Sequence, residues 1–286
     1  MTENANSREA GASGDGEGVG DRRTSQGSQL SQTARSPLCF AHRGARAHAP
    51  ENTLLAFSLA FDLGADAIEC DVQRSRDGEL VIIHDGTVDR TTDGSGFVSE
   101  QSLSELRGLD AGRKWRLLER IPTLEETLAL VWERGGSLNL EVKGESVEES
   151  VDTARALEPM LRDQHPAFRR RLLVSSFEHP ALQLLKARLP WLRIGALFGS
   201  EWRRRDLLAP ARELGAEAIH PALTLTTQAL VRRAHEAGLR VNVWTANRPA
   251  TIEQLIRWGV DGVFSDYPER VVILRSRLHV AQPPRA

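Results

Sequence analysis

The chain has 286 residues, which suits one large domain or two small ones. Its 37 Lys and Arg residues nearly balance 39 Asp and Glu residues, and a net charge of -2 argues against wholesale nucleic-acid binding, which usually needs a strong basic excess. Two cysteines are too few for a disulfide framework, and no apolar run approaches the roughly 18 residues of a membrane-spanning helix, so we expect a cytoplasmic protein.

The first 36 residues differ from the rest of the chain. They contain no aromatic residue, and their only large apolar residues are Met1, Val19 and Leu30. Such a segment buries too little surface to offset its chain entropy, and it lacks the basic start and apolar stretch of a secretory signal. We therefore predict a disordered N-terminal tail over residues 1–36, one folded domain over residues 37–280 and a flexible tail over residues 281–286.

From Leu38 onward, short apolar runs alternate with amphipathic stretches such as Asn52–Leu63 and Thr227–Ala237. This alternation predicts a parallel sheet with helical crossovers, and eight parallel strands in about 250 residues fit a closed TIM (β/α)8 barrel. A doubly wound open sheet is the alternative, but no glycine-rich dinucleotide fingerprint follows the first strand. The predicted strands are Leu38–His42, Ala67–Asp71, Leu138–Lys143, Leu172–Ser175, Arg193–Leu197, Ala218–His220, Arg240–Trp244 and Gly262–Ser265.

A β-hairpin over residues 71–84 interrupts the alternation. Only eight residues separate Asp71 from Leu80, fewer than the dozen or so that a parallel crossover needs, so the chain returns antiparallel as far as His84. Asp77–Gly78 is a favoured two-residue hairpin turn, and such a turn pairs Asp71 with His84. The weakly periodic residues from about 86 to 121 are then a small insertion over the C-terminal mouth of the barrel.

Charged residues gather where the predicted strands end, which is where barrels of this kind bind their ligands. Glu69 and Asp71 are two residues apart in an otherwise apolar strand, so both project from one face. Burying several carboxylates together costs several kcal/mol each unless a cation compensates, and a carboxylate set without cysteine favours Mg²⁺ or Ca²⁺. The strand-end residues are His42, Arg43, Glu69, Asp71, His84, Glu141 and Lys143.

Each of these residues alone also has a structural explanation. Glu69 and Asp71 fit a salt-bridged strand end, and a single histidine is more often a hydrogen-bonded structural residue than a catalytic one. Glu141 and Lys143 can pair with neighbours. The convergence of two histidines, three carboxylates and two cations at one end of one barrel favours a functional site.

An ordered set of short motifs from about Cys39 to Pro268 resembles the glycerophosphodiester phosphodiesterase family. The resemblance implies a TIM barrel with a small insertion after the hairpin, and a metal-dependent phosphodiesterase. The motifs are His42-Arg43-Gly44, Pro50-Glu51-Asn52-Thr53, Glu69-Cys70-Asp71-Val72, His84-Asp85, Arg90-Thr91-Thr92 with Gly94 and Gly96, Pro122-Thr123-Leu124-Glu125-Glu126, Leu140-Glu141-Val142-Lys143 and Val243-Trp244-Thr245-Ala246-Asn247.

The resemblance also implies roles for matching residues. It places one divalent cation, Mg²⁺ or Ca²⁺, on Glu69, Asp71 and Glu141. The paired acid/base histidines of the family fall on His42 and His84.

Four further positions match substrate-binding residues of the family. Arg43 and Lys143 match phosphate contacts, and Trp244 matches an aromatic wall for the alcohol portion. Glu51 lies in a matching motif, and it can orient a histidine or a ligand as readily as it can touch substrate.

The implied reaction belongs to glycerol and lipid metabolism and releases glycerol 3-phosphate and an alcohol from glycerophosphodiesters. We hypothesise that a neighbouring hydroxyl of the substrate attacks phosphorus, with one histidine as base and the other as acid, and that water then opens the cyclic phosphate. The alternatives are a lysophospholipase D, an enzyme that stops at the cyclic phosphate, and a non-catalytic phosphoester-binding barrel.

The expected partner is a small-molecule glycerophosphodiester. We expect no nucleic acid and no stable membrane anchoring, and we make no prediction of the oligomeric state. The hydrophilic insertion contains no membrane-docking helix, which favours a soluble headgroup ester over a lipid substrate.

Overall fold

Nine strands form one sheet in the computed structural model, which describes residues 36–280. The strands are β1 (Leu38–His42), β2 (Ala67–Arg74), β3 (Leu80–Ile82), β4 (Ser137–Val142), β5 (Leu172–Ser176), β6 (Arg193–Phe198), β7 (Ala218–Pro221), β8 (Arg240–Val243) and β9 (Gly262–Ser265). Eight of them are parallel in the order β1-β9-β8-β7-β6-β5-β4-β2, and β1 also pairs with β2. That last pairing closes the sheet, so the predicted TIM barrel is confirmed and an open sheet is excluded.

Helices connect the parallel strands, and several begin at polar capping residues. Thr123, for example, accepts a hydrogen bond from the amide of Glu126 at 3.1 Å, and the Glu126 carboxylate accepts one from the Thr123 amide at 2.9 Å. The helices are α1 (Leu54–Asp62), α2 (Leu103–Gly108), α3 (Leu124–Glu133), α4 (Val147–Arg162), α5 (Pro166–Arg169), α6 (His179–Arg188), α7 (Leu208–Glu213), α8 (Gln228–Glu236), α9 (Pro249–Trp258) and α10 (Pro268–Val280).

The two-residue period of the strands separates the core from the site. On β4, Leu138 and Leu140 belong to the large apolar core between strands and helices, whereas Asn139 and Glu141 point into the barrel. Cys70 joins the same outer core, between two residues that face inward. Strand alternation therefore places apolar side chains under the helices and polar side chains inside the barrel.

The β2–β3 hairpin forms as predicted, but its register is displaced by one residue. Ile83, and not His84, lies opposite Asp71, and the Ile83 amide donates to the Asp71 carbonyl at 2.9 Å. At the other end, the Ser75 amide donates to the Glu79 carbonyl at 2.9 Å. The predicted pairing of Asp71 with His84 is therefore wrong.

The displacement arises from a three-residue turn over residues 76–78. The Ser75 hydroxyl donates to the Asp77 carboxylate at 2.6 Å and accepts from the Glu79 amide at 2.9 Å, which closes the longer loop. Gly78 has φ +91°, a left-handed conformation that suits the last position of such a turn.

The insertion after the hairpin has a small apolar core of its own, formed by Val81, Ile83, Val88, Val98, Leu106 and Ile121. It contains α2 and two short 3₁₀ helices, Val98–Glu100 and Arg113–Trp115. Between residues 36 and 280, no helix is both long and apolar enough to cross a membrane. The tails predicted over residues 1–36 and 281–286 lie outside the described residues, apart from Ser36.

Candidate active site

Three carboxylates converge inside the barrel mouth. Glu69 and Asp71 lie on β2, and Glu141 lies on β4. The parallel pairing of these two strands places Glu141 beside Asp71. One oxygen from each lies within 4.8 Å of the others. Glu69 Oε1 and Asp71 Oδ1 are buried, and neither finds a hydrogen-bond partner among the described residues. An all-oxygen set with two unpartnered atoms fits a hard cation, so these residues can hold a metal ion.

The charges around the cluster are unevenly compensated. Burial, reinforced by the charges of Asp71 and Glu141, raises the pKa of Glu69 well above its usual range. Burial also acts to raise the pKa of Asp71, but Lys143 and Arg43 outweigh it and the pKa is lowered. Burial raises the pKa of Glu141 despite the nearby Lys143. An added cation would relieve this repulsion.

Two histidines face the same cavity, and each is held by a carboxylate. The Nδ1 atom of His42, at the end of β1, lies 2.7 Å from Asp266 Oδ1, and the Nδ1 atom of His84 lies 2.6 Å from Asp85 Oδ1. Lys143 Nζ lies 3.1 Å from His84 Nε2. An ionised carboxylate accepts only from Nδ1–H, so Nε2 is the basic nitrogen of each ring. Burial lowers the pKa of both histidines, which favours neutral rings.

Asp266 is itself fixed by Asn247. The Asn247 side-chain amide donates to Asp266 Oδ2 at 2.8 Å, and the Asp266 amide donates to Asn247 Oδ1 at 2.9 Å. The main-chain bond holds the Asn247 side chain in place, and the carboxylate cannot rotate without losing the bond that Asn247 donates to Oδ2. The ring of His42 is fixed in turn.

Arg43 joins the carboxylate cluster to the loop that follows β1. Its φ is +56°, which is uncommon for a residue other than glycine. The Arg43 amide donates to Glu69 Oε2 at 2.9 Å, and its carbonyl accepts from the Asn52 amide at 3.0 Å. Its guanidinium reaches Glu51 at 2.8 Å and Asp71 at 3.4 Å. These bonds stabilise the strained conformation at the edge of the site.

Glu51 binds arginines, and among the described residues it forms no hydrogen bond with a histidine. It accepts one hydrogen bond from Arg43 and two from Arg90, at 2.9 and 2.7 Å. Arg90 also binds Asp85, the partner of His84. Burial opposes ionisation of Glu51, but the arginines hold its pKa well below the usual range. Hydrogen bonds thus link Glu51 to His84 through Arg90 and Asp85.

An aromatic wall and a polar floor complete an open cavity of about 390 Å³. Trp244 and Phe177 meet edge to face at 5.5 Å between ring centroids. Trp244 Nε1 donates to the carbonyl of His220 at 2.8 Å. The His220 ring is fully buried, and its Nε2 accepts from Asn242 Nδ2 at 3.0 Å. Burial lowers the pKa of His220 to about 3, so this ring is a neutral part of the floor.

Seven of the nine predicted site residues line this cavity: His42, Arg43, Glu69, His84, Glu141, Lys143 and Trp244. Asp71 is 1% exposed and lies against Lys143 and Arg43. Glu51 lines an adjoining recess together with His84.

The residues that hold the histidines in place were not predicted from the sequence. Asp266 directly follows β9, so the strand-end rule used for the other residues also points to it. Asp85 and Arg90 belong to the family motifs His84-Asp85 and Arg90-Thr91-Thr92, but the motifs alone assign them no role. Phe177 follows β5 and carries no charge, so that rule could not have found it.

Comparison with known proteins agrees with this geometry. The model of the Glycerophosphoryl diester phosphodiesterase family matches residues 42–270. A glycerophosphodiester phosphodiesterase of Caldanaerobacter subterraneus is 38% identical over 248 residues, which are 83% of this chain and 97% of the relative. A probable glycerophosphodiester phosphodiesterase 1 of Mycobacterium tuberculosis is 34% identical over 83% of this chain and 92% of its own length.

Solved structures show the same relationship. A phosphodiesterase of Oleispira antarctica, in complex with the product sn-glycerol-3-phosphate, superposes with a TM-score of 0.75 at 33% identity and covers 86% of this chain and 97% of its own. A putative glycerophosphoryl diester phosphodiesterase of Silicibacter pomeroyi gives a TM-score of 0.77 at 26% identity, over 85% of this chain and 95% of its own. The chain therefore belongs to the glycerophosphoryl diester phosphodiesterase family and is a phosphoric diester hydrolase.

Proposed function

We propose that the protein hydrolyses glycerophosphodiesters to glycerol 3-phosphate and an alcohol at a divalent cation held by Glu69, Asp71 and Glu141. The observation that carries this proposal is the convergence of the three carboxylates with His42 and His84 around one cavity. The sn-glycerol-3-phosphate bound to the Oleispira relative supports the assignment of the product.

The cation, Mg²⁺ or Ca²⁺, would neutralise phosphate charge and lower the pKa of a bound hydroxyl. Arg43 and Lys143 place two further positive charges beside the carboxylates. Because a phosphodiester is anionic, fixed positive groups stabilise the charge that builds up on its oxygens in the transition state. These two residues are the proposed phosphate contacts.

His42 and His84 are proposed to move the protons. One Nε2, on a neutral ring, takes the proton of the neighbouring substrate hydroxyl as its oxygen bonds to phosphorus. The other ring must enter the step protonated at both nitrogens, and it gives its Nε2 proton to the departing alcohol as the P–O bond breaks. Water then opens the cyclic phosphate with the two roles exchanged. Each transfer typically contributes about 10²–10⁴ in rate. The Nδ1 bonds to Asp266 and Asp85 support these roles because they leave Nε2 as the nitrogen that exchanges protons, and on His84 that atom also lies 3.1 Å from Lys143 Nζ.

Trp244 and Phe177 are proposed to contact the alcohol portion of the substrate, since they form the apolar side of the cavity. Glu51 is proposed to position Arg43 and Arg90 and not to touch substrate itself. The cytoplasmic location stays a prediction from the sequence.

A metal-by-substrate activity panel tests the proposal. Chelated protein should be inactive, and Mg²⁺ or Ca²⁺ should restore release of glycerol 3-phosphate from glycerophosphocholine, glycerophosphoethanolamine or glycerophosphoglycerol. Turnover that survives complete chelation would contradict the metal assignment. Phosphorus NMR of the products separates hydrolysis from an enzyme that stops at the cyclic phosphate.

A further inference from the structure

The insertion presents an apolar tip, residues 113–118, to solvent. All six residues are exposed, and Trp115, Leu117 and Leu118 expose 42%, 43% and 72% of their surface. Of the ten exposed large apolar side chains among residues 36–280, the insertion holds these three and Phe97. Such clustering marks an interaction surface, whereas single exposed apolar residues need no explanation. With six residues, the tip is too short for its apolar side chains to form a recognisable helical pattern in the sequence.

Hydrogen bonds at its base hold the tip outward. The Ala111 amide donates to the Glu119 carbonyl at 2.8 Å and closes the loop. Inside it, the amides of Trp115 and Leu117 donate to the Gly112 carbonyl at 2.8 and 3.3 Å. The apolar side chains are therefore carried on a defined turn.

The tip lies beside the mouth of the active site. Lys114 Nζ donates to the main-chain carbonyl of Arg90. The Arg90 side chain binds Glu51 and Asp85, and Asp85 holds His84. A surface that binds the tip would thus lie next to the rim of the catalytic cavity.

Basic residues surround the apolar side chains although the whole chain carries a net charge of -2. Residues 113–120 contain four basic side chains and one acidic one, Glu119, which is half-buried. Tryptophan and leucine flanked by arginine and lysine are the composition that binds the interface of anionic membranes. The basic side chains are Arg113, Lys114, Arg116 and Arg120.

We propose that this tip docks reversibly on an anionic lipid surface, with Trp115, Leu117 and Leu118 entering the headgroup region and Arg113 and Arg116 facing lipid phosphates. One short tip gives transient attachment, because stable anchoring takes a second signal. Docking would hold the mouth of the cavity close to phosphodiesters that originate from lipids. The docking itself does not depend on the proposed reaction.

Vesicle co-sedimentation of the full chain tests the proposal. Vesicles that contain phosphatidylglycerol should bind the protein at low salt, whereas pure phosphatidylcholine vesicles should bind it weakly, and sodium chloride should release it. Replacing Leu117 and Leu118 with serine should weaken binding at least about tenfold. The Arg113→Gln/Arg116→Gln variant should lose the preference for anionic vesicles. Ile273→Ser, which changes a 48%-exposed side chain on α10, should bind like the wild type.

Circular dichroism and size-exclusion chromatography complete the test by showing that each variant is folded and in which oligomeric state. Failure of the full chain to bind anionic vesicles would overturn the proposal. So would unchanged binding by folded Leu117→Ser/Leu118→Ser protein, because another surface would then be responsible. A wild-type dimer that this variant converts to monomer would assign the tip to self-association instead.

Discussion

His42 Nδ1 lies 2.7 Å from Asp266 Oδ1 although 224 positions separate the two residues. Closure of the barrel explains their proximity, because β1 pairs with β9, His42 ends β1 and Asp266 directly follows β9. Burial acts to raise the pKa of Asp266, but the hydrogen bond from His42 and nearby positive charge lower it, so the carboxylate stays ionised. The pair has the geometry that fixes a histidine tautomer for proton transfer.

Replacing Asp266 with asparagine should lower kcat by a factor of about 10²–10⁴, the contribution typical of one proton transfer. An asparagine amide can donate to Nδ1, which would move the ring proton to Nε2 and remove the basic nitrogen from the cavity. The Michaelis constant should change little, because the carboxylate acts through His42. Steady-state kinetics with a glycerophosphodiester measures both parameters.

The matched control for this substitution is a second histidine–aspartate pair at the surface. His235 Nε2 lies 2.8 Å from Asp261 Oδ2, and neither residue lines the catalytic cavity. Asp261→Asn should leave kcat unchanged. A folded Asp266→Asn protein with wild-type kcat would show that catalysis does not need Asp266 to fix the tautomer of His42.

Replacing Glu141 with glutamine should raise the metal concentration needed for half-maximal activity at least about tenfold, since even outer-shell changes at metal sites cost 10–100-fold in affinity. The amide keeps the shape of the side chain but removes one of three negative charges. Metal titration followed by activity and by calorimetry measures the effect.

Glu148→Gln is the charge-matched control, because Glu148 is exposed and lies in the first turn of α4. It should not change the metal requirement. Equal metal affinity in wild-type and Glu141→Gln protein would exclude Glu141 as a ligand.

Strand positions could be predicted from the sequence because each buried parallel strand corresponds to a short run of apolar residues. The strand-end carboxylates followed from the same pattern, since Glu69 and Asp71 stand out in an apolar run. The hairpin register could not be predicted in the same way. It depends on hydrogen bonds of the Ser75 side chain, and an Asp-Gly dipeptide fits turns of either length. The apolar tip of the insertion was overlooked because exposure depends on how the loop folds.

Two glycines with similar positive φ angles should respond differently to replacement by alanine. Gly44 and Gly78 have φ +80° and +91°. A Cβ on Gly44 would lie 2.7 Å from the carbonyl carbon of Ala56, whereas a Cβ on Gly78 would meet no atom within 4 Å. Gly78→Ala should cost about 1–2 kcal/mol of stability through left-handed strain alone, and Gly44→Ala should cost more because the main chain of α1 must also move.

Urea unfolding of both glycine variants measures this difference. Because Gly44 follows Arg43 at the site, Gly44→Ala should also lower kcat, whereas Gly78→Ala should not. Equal unfolding free energies for the two variants would contradict the close approach at Gly44.

His220 should make the folded protein sensitive to acid. Burial lowers its pKa from 6.5 to about 3, so between these values the unfolded chain binds a proton that the folded protein does not. The free energy of unfolding is therefore unaffected by the titration of His220 above pH 6.5, and it decreases by up to about 1.4 kcal/mol per pH unit as the pH falls below that value.

In His220→Gln, an amide oxygen can still accept a hydrogen bond from Asn242, and the side chain does not titrate. The free energy of unfolding of the wild type should therefore fall about 2 kcal/mol more between pH 7 and pH 5 than that of the variant, as measured by urea titration. His165→Asn changes an exposed histidine and keeps an acceptor for the cap of α5, so it should follow the wild type. Parallel pH dependence of wild type and His220→Gln would show that His220 titrates normally in the folded state.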